Sequence, residues 1–402
     1  METGFCTGGR FAKKLTRAAA FFTLALLLSD PARSQEAAVP LGPWDLYPTL
    51  GISVGFDDNL ALSANEPQES EYVLLQPALR LETSTRRSEV RLQAALDRGE
   101  FTGSSFDDYE DFELSARWQY DPSVRSALLL AAARGRGHDR RGEGLRENFN
   151  ETLDRDVDQY DLDSINGRYT YGAQGARGQL AVFAEGRDKT YRNNRDFTGV
   201  GDYRLFLAGA EFGWRVAPRT TVVARVTQAD VDYEQANLDS EEQTVAVGLA
   251  WEAGSKTDGQ VLVGQLDRDF DDPELPGFSG SFWELRASWR PKERTEVSVL
   301  SRRSTDEAFG GANLLVRRES SLSWRHNWRP RFVTSIDLAV SNEDFRPQGR
   351  DDDIVRVGIS ADYQFRRWML VGAGLRRVER ESTLERFDYT RNELLLSVQL
   401  SL

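Results

Sequence analysis

The chain offers few side chains that could perform catalysis or bind a metal. It contains two histidines, His138, which precedes Asp139 in an Arg- and Gly-rich segment, and His326. A hydrolase needs a serine or carboxylate correctly placed beside a histidine, and adjacency in sequence does not supply that geometry. Cys6 is the single cysteine, so metal sites built on cysteine and histidine are excluded. We therefore expect no catalytic residues, no cofactor and no metal site.

Acidic clusters are the next candidates for chemistry. Residues 267–271 carry aspartate at alternate positions, as a calcium-binding loop does. Such a loop requires glycine at its sixth position and glutamate at its twelfth, where this chain has Asp272 and Phe278. The motif fails, and the similar cluster at 351–353 is interpreted in the same way. We expect a solvated anionic rim of loops, or weak cation bridges to surface lipopolysaccharide.

The stronger signal is a set of charged residues on the polar parity of alternating segments. These residues are predicted to line a pore: Arg91, Arg117, Arg215, Arg225, Arg286, Arg302, Arg356, Arg376, Glu113, Glu211 and Glu284. If the apolar parity faces lipid, the charged parity faces a lumen that must hold water. Guanidinium groups bind carboxylate or sulfate in a planar, two-pronged way. The pattern fits a wall that passes anionic solutes, or Arg–carboxylate pairs that stiffen the wall with little selectivity.

Strands must position these side chains, and the last segment shows the pattern most clearly. Residues 393–402 alternate strictly between an apolar and a mostly polar parity. The apolar members are Leu394, Leu396, Val398, Leu400 and Leu402. Period-two alternation predicts a strand with one apolar face, and it recurs about 18 times along the chain. An apolar final strand is typical of a barrel in which the last strand closes against the first.

The connections support a transmembrane antiparallel β-barrel. Eight short turns alternate with nine longer polar loops, of which 135–158 is the longest. In outer-membrane barrels the short turns are periplasmic and the long loops extracellular, so about 18 strands leave both termini in the periplasm. Tryptophan and tyrosine cluster near the short turns, as in an interfacial aromatic girdle. A soluble β-sandwich would not show this long and short alternation over the whole chain.

The bulk numbers agree with one barrel after a secretory signal. A mean hydropathy of -0.53 over 402 residues excludes a bundle of membrane helices. Residues 1–34 have the basic, apolar and small-residue regions of a cleaved signal peptide, 35–46 read as a periplasmic linker, and 47–402 as the barrel. Cleavage removes five basic and two acidic residues, so the formal charge changes from -13 to -16. This acidity argues against nucleic acid as a partner.

A short motif at the end of the first strand adds a resemblance. Gly55-Phe-Asp-Asp-Asn-Leu60 contains an aromatic-Asp-x-Asn sequence. With the alternating barrel, it resembles the β-barrel porins that are encoded with exopolysaccharide biosynthesis genes. The resemblance implies a conduit for polysaccharide or oligosaccharide across the outer membrane, without catalytic residues. A turn-forming role for Asp57 and Asn59 is equally compatible with the motif.

Three functions therefore stay open. The first is an outer-membrane conduit for polysaccharide or anionic saccharide, linked to exopolysaccharide export. The second is a general diffusion porin for small solutes, which predicts that loop 135–158 folds inward and narrows the pore. The third is a non-conducting structural or adhesive barrel. The expected partners are outer-membrane lipid and lipopolysaccharide, with polysaccharide and periplasmic export components for the conduit. The sequence does not distinguish a monomer from a trimer.

Overall fold

The computed structural model describes residues 38–149, 155–254, 256–308 and 312–401. The signal peptide predicted for residues 1–34 lies outside this range. The described residues form one sheet of 19 strands, in which β1 pairs with β2 alone and β2 to β19 form a closed ring of 18 antiparallel strands. The predicted fold class, an antiparallel β-barrel of about 18 strands, is confirmed.

The bounds of the strands follow chain order. They are β1 (Val39–Leu41), β2 (Trp44–Asp57), β3 (Ser70–Ser84), β4 (Ser88–Phe101), β5 (Tyr109–Ser123), β6 (Ser126–Asp139), β7 (Asp158–Tyr171), β8 (Gly178–Tyr191), β9 (Tyr203–Ala217), β10 (Thr220–Tyr233), β11 (Ser240–Ala253), β12 (Thr257–Phe270), β13 (Phe278–Lys292), β14 (Thr295–Glu307), β15 (Leu314–Arg329), β16 (Phe332–Arg346), β17 (Arg350–Arg366), β18 (Met369–Ser382) and β19 (Tyr389–Ser401). The first wall strand thus begins at Trp44, three residues before the start of the barrel that the sequence suggests.

The wall has an apolar outer face because alternate side chains of each strand point outward. In β19, Leu394 is 43% exposed and Leu396 is 49% exposed, whereas Glu393, on the other parity, is 6% exposed. Exposed valine, leucine and isoleucine recur on the outer parity of nearly every strand. Exposed tryptophans lie on this face near the short turns, namely Trp118, Trp214, Trp289, Trp328 and Trp368.

Short turns and longer connections alternate along the chain, but the prediction of one long loop is wrong, because strand continues through most of it. The sequence suggests a loop over 342–353, whereas β16 continues to Arg346 and β17 begins at Arg350. The strands continue because their polar ends pair across the ladder, with Asn342 Nδ2 donating to Asp351 Oδ1 at 2.6 Å. A backbone ladder needs no apolar side chains once it leaves the membrane, so alternation underestimates strand length.

The described helices are short and lie in the long loops. They are α1 (Leu145–Phe149) and α2 (Arg195–Thr198), and three single 3₁₀ turns accompany them. None of the helices in the described residues is long and apolar enough to span a membrane.

Candidate functional site

The loop between β6 and β7 turns back over the barrel mouth. Arg146 in α1 makes a two-pronged ion pair with Asp158 at the start of β7, with both N–O distances 2.8 Å. Arg146 also donates to the backbone carbonyl of Arg155 at 3.1 Å. Leu145 packs in a buried cluster that contains Tyr160 of β7. These contacts fix the loop against its own strands.

A second anchor joins this loop to the two preceding extracellular loops. Arg141 is buried, and its Nε and Nη2 lie 2.7 and 2.6 Å from the two carboxylate oxygens of Asp107. Its Nη2 also donates to Gln68 at 3.1 Å. Gly142 has a φ of +77°, and a Cβ there would lie 2.4 Å from the backbone oxygen of Ala61. Only glycine allows the loops to approach this closely in this conformation.

Glu147, near the middle of the loop between β6 and β7, reaches a distant part of the wall. The Glu147 carboxylate accepts hydrogen bonds from Arg350, at the start of β17, and from Arg380 Nη2 of β18, the latter at 2.5 Å. The shortest way round the wall from β6 to β18 passes five strands, β19, β2, β3, β4 and β5. The loop therefore crosses the mouth of the barrel. This is the inward fold that the diffusion-porin hypothesis predicts.

A balanced, buried ion cluster receives this loop. Asp352 lies 3.0 Å from Arg350 Nε and 2.9 Å from Arg380 Nε. Arg350 is fully buried, with its guanidinium carbon 3.5 Å from the Phe387 ring centroid and 4.2 Å from that of Phe345. Two arginines and two carboxylates compensate one another, as buried charges require. The interpretation of 351–353 as a solvated rim is therefore wrong for Asp352, which is also fully buried.

An exposed ion pair joins the loop between β6 and β7 to the next extracellular loop, between β8 and β9. Arg155 Nη1 donates to both carboxylate oxygens of Asp196 in α2, at 3.0 and 2.8 Å. This hydrogen bond lowers the pKa of the Asp196 carboxyl. Both groups are accessible to water, so we expect a small contribution to stability.

All eleven residues predicted to line the pore lie on the parity opposite the exposed apolar side chains. Five charged side chains form a continuous chain of ion pairs along the inner wall. Glu211 accepts from Arg168 at 2.8 Å and from Arg225 at 2.6 Å. Arg225 continues to Glu284 at 3.4 Å, and Glu284 accepts from Arg286 at 3.0 Å. We call this row the wall ladder. Its carboxylates neutralise much of its positive charge, as the stiffened-wall alternative predicts.

Other predicted residues differ in their partners. Arg91 pairs with Glu82 at 2.6 Å, and Arg302 pairs with Glu319. The remaining three predicted residues lie elsewhere on the inner wall, on β5 and β9: Arg117, Glu113 and Arg215. A role in solute passage stays a prediction for all eleven.

Where β17, β18 and β19 meet, carboxylates neutralise less of the positive charge of the inner wall than they do in the wall ladder. Arg356 and Arg376 lie diagonally across the β17–β18 register on the inner face. Arg376 Nη1 is 3.9 Å from Glu393, which is shared with Arg391 at 3.1 Å. Arg356 makes a long hydrogen bond of 3.4 Å to Ser341 Oγ. This region lies in the extracellular half of the wall, on the strands that hold the Glu147 anchor.

The aromatic-Asp-x-Asn motif joins the first wall strand to the last. Asp57 Oδ2 is 2.5 Å from Arg391 Nη2, and Asp58 Oδ1 accepts from the backbone N–H of Asn392 at 2.6 Å. Asn59 Nδ2 donates to the backbone carbonyl of Thr390 in β19 at 3.0 Å. Asn59 N–H also donates to Asp57 Oδ1 at 3.0 Å, so a turn forms as well. We call these contacts between Asp57, Asp58, Asn59 and β19 the seam clasp.

The side chain of His138 packs against β5 of the barrel wall. It lies in β6 rather than in a loop, its Nδ1 is 2.9 Å from Asp111 Oδ2, and its ring stacks on Tyr109 at 4.0 Å. The side chain of His138 is 9% exposed, so it is part of the packed wall and is not solvated. No group of three or more metal-binding side chains is found within the described parts of the chain.

Sequence reasoning missed the crossing loop's anchors, Glu147, Arg350 and Arg380. Each is a charged residue in a polar stretch, and Glu147 is 203 positions from Arg350 and 233 from Arg380. The only local signal is that Arg350 and Asp352 share one parity. That spacing is common in solvated strand ends and does not identify a distant partner.

Comparisons with known proteins agree with this architecture. Residues 34–402 match the model of a family described as Putative beta-barrel porin 2. A search of the curated proteins found no match.

Solved structures share the fold at low sequence identity. A BenF-like porin from Pseudomonas fluorescens Pf-5 is 10% identical with a TM-score of 0.50, over 89% of this chain and 99% of that one. OpdK from Pseudomonas aeruginosa, solved with vanillate, is 11% identical with the same TM-score and coverage. The FrpB iron transporter from Neisseria meningitidis (F3-3 variant) is 9% identical with a TM-score of 0.47, over 85% of this chain, which spans 62% of that transporter. At these identities the likeness concerns the fold alone.

Proposed function

We propose, because this chain belongs to the family described as Putative beta-barrel porin 2, that it forms a constricted outer-membrane pore for small solutes. A barrel of 18 strands is wide enough to enclose an aqueous channel. The observation that carries the proposal is the loop between β6 and β7, which crosses the mouth and is bridged to β17 and β18 by Glu147. Such a loop limits the size of the solute that can pass.

The constriction favours small solutes over a polymer. The resemblance to exopolysaccharide-associated porins implies a saccharide conduit, and a polymer strand would have to thread the mouth that the loop crosses. Saccharide cargo and a link to polymer export are therefore the weaker proposal. The wall ladder also favours the small-solute pore over the saccharide conduit, since its carboxylates occupy guanidinium groups that would otherwise bind a polyanion.

A modest preference for anions belongs to the same proposal. Arg356 and Arg376 lie on strands that receive the crossing loop, and one carboxylate, Glu393, is shared between Arg376 and Arg391. Excess positive charge at a narrow point raises the local concentration of anions. We therefore expect carboxylate or sulfate solutes to pass more readily than cations of equal size.

Lipid and lipopolysaccharide are the proposed partners of the outer surface. An 18-stranded barrel with an apolar outer face fits an outer-membrane location. Toward the extracellular ends the outer parity becomes charged, as in the pairs of Arg204 with Asp188 at 3.0 Å and of Arg134 with Asp163 at 3.6 Å. Exposed guanidinium groups suit contact with anionic headgroups.

The test is single-channel conductance of the refolded full chain in a planar bilayer. The test variant replaces residues 142–155 with a short Gly-Ser turn, and the control shortens the 271–277 loop in the same way. We expect the test variant to conduct several-fold more than the unmodified barrel, since a crossing loop narrows the channel. Equal conductance would overturn the constriction, and a folded barrel that carries no current would support the structural role. An anionic oligosaccharide that threads the unmodified pore would reinstate the saccharide conduit.

A further inference from the structure

Strand pairing in the barrel wall is interrupted between β13 and β14. The two strands are in register from Trp289 opposite Val297 to Glu284 opposite Arg302, and the ladder ends there. Residues 278–283 of β13 still pair with β12, and residues 303–307 of β14 still pair with β15. The wall therefore splits on its extracellular side while each half stays an intact sheet.

The split arises because the described residues on either side of the β14–β15 turn, 303–308 and 312–316, lie inside the barrel. We call these residues the hairpin tip. Arg268 of β12 donates to Glu307 at 2.7 Å, and Thr305 donates to Glu242 of β11. Glu242 and Arg268 belong to the parity opposite the exposed Val245 and Val263 of the same strands, so they face the lumen. In the wall, β13 separates β14 from both of these strands. Contact with their inner faces requires the tip to pass behind β13.

Burial along β15 leads to the same conclusion. Val316 shares its parity with Leu322, which is 39% exposed on the outer face, yet Val316 is completely buried. Leu314 and Val316 pack instead against Phe278 of β13. The outer face of the hairpin tip is thus covered by the inner face of the neighbouring wall.

Side chains bridge the gap that the missing ladder leaves. Arg303 Nη1 donates to the backbone carbonyl of Ser281 at 3.0 Å and to its hydroxyl at 2.8 Å. Trp283 Nε1 donates to Ser301 Oγ at 3.3 Å. The edge of β13 therefore offers ladder positions that no backbone group of β14 fills, beside a strand that could fill them.

We propose that the hairpin tip, residues 303–308 and 312–316, is a gate with two positions. In the inward position seen here it rests on β11 and β12 and narrows the lumen. In the outward position β14 continues its register with β13, which brings Ser281 opposite Thr305 and completes the wall. The exchange replaces the contacts of Glu307 and Thr305 with backbone pairing, and the mouth widens. This gate rests on the proposed pore, but its motion can be measured without conductance.

A disulfide trap tests the outward position. In a Cys6→Ser background we would introduce Ser281→Cys with Thr305→Cys, and as the control Ala287→Cys with Val299→Cys, which are already opposite each other. We expect both pairs to crosslink under mild oxidation, the control faster. The trapped gate should conduct roughly twofold more than its reduced form, because the free cross-section grows, and the control should not change. A control that crosslinks while the test pair does not would overturn the gate even if no current is measured.

A release variant tests the inward contacts. Glu307→Gln removes the charge that Arg268 holds, and Glu241→Gln, on the exposed outer face of β11, is the matched control. We expect Glu307→Gln to crosslink the 281–305 pair several-fold faster than the Glu241→Gln control, because the inward position loses a charged partner. Equal crosslinking rates in the two variants would contradict the role of this ion pair as the latch.

Discussion

Replacing Glu147 with glutamine should release the crossing loop while the wall stays folded. Glu147 joins the loop to Arg350 and Arg380, and both arginines retain Asp352 as a partner. Removing one partner from a buried ion pair costs about 3–5 kcal/mol, and the remaining carboxylate places this change at the lower end, about 3 kcal/mol. At about 1.4 kcal/mol per factor of ten, the ratio of detached to attached loop rises about a hundredfold.

The assay is single-channel recording of the refolded barrel. We expect the Glu147→Gln channel to switch between the unmodified level and a larger one, and its average conductance to rise. Glu143→Gln is the matched control, because it removes the same charge from the same loop at a residue for which no ion pair is found among the described residues. If the Glu147→Gln barrel folds and its current trace equals that of the control, the loop is held by other contacts and the reasoning is refuted.

Three further outcomes are expected. Asp57→Ala should lower the free energy of unfolding by about 3 kcal/mol, because Arg391 loses a buried partner; an unchanged denaturation midpoint would contradict the seam clasp. Arg376→Ala should shift the reversal potential in a salt gradient toward cations more than Arg215→Ala, which lies near a short turn; equal shifts would refute selection at the mouth. The hydrogen bond to Asp196 lowers the pKa of its carboxyl, so its stabilisation is present above the unfolded pKa of about 3.9 and is lost as the pH falls through the folded pKa. Hydrogen exchange in α2 should therefore be protected equally at neutral and mildly acidic pH, and protection that is already lost at about pH 6 would contradict this sign.

The wall could be predicted from the sequence because its cause is local. Lipid on one side and water on the other impose period-two alternation, so residues such as Leu394 and Glu393 identify their own faces. The same logic placed Arg225, Glu211 and Glu284 on one side of the wall. It could not say that they pair, because that depends on the register of β9, β10 and β13.

The constriction could not be predicted in the same detail. The sequence suggests a candidate inward loop by its length, but its anchors depend on three-dimensional proximity across the lumen. Glu147 and Arg350 are charged residues of the kind that is common in solvated loops. They meet only when the barrel wall has closed. The inward tip of β14 is hidden for a related reason. Thr305 and Glu307 have the polarity of an ordinary strand end, whether they face outward or rest on β11 and β12.

The seam clasp also has a consequence for biogenesis. Asp57, Asp58 and Asn59 are made before their partners at 390–392, which follow them by 331 to 334 positions. The clasp is therefore satisfied only when β19 has been made and has paired with β2. A chain without β19 would keep the Asp57 carboxylate at an open sheet edge, without the Arg391 side chain that pairs with it. The clasp thus depends on closure of the barrel, because the Asp57 carboxylate meets its cation only when β2 and β19 pair.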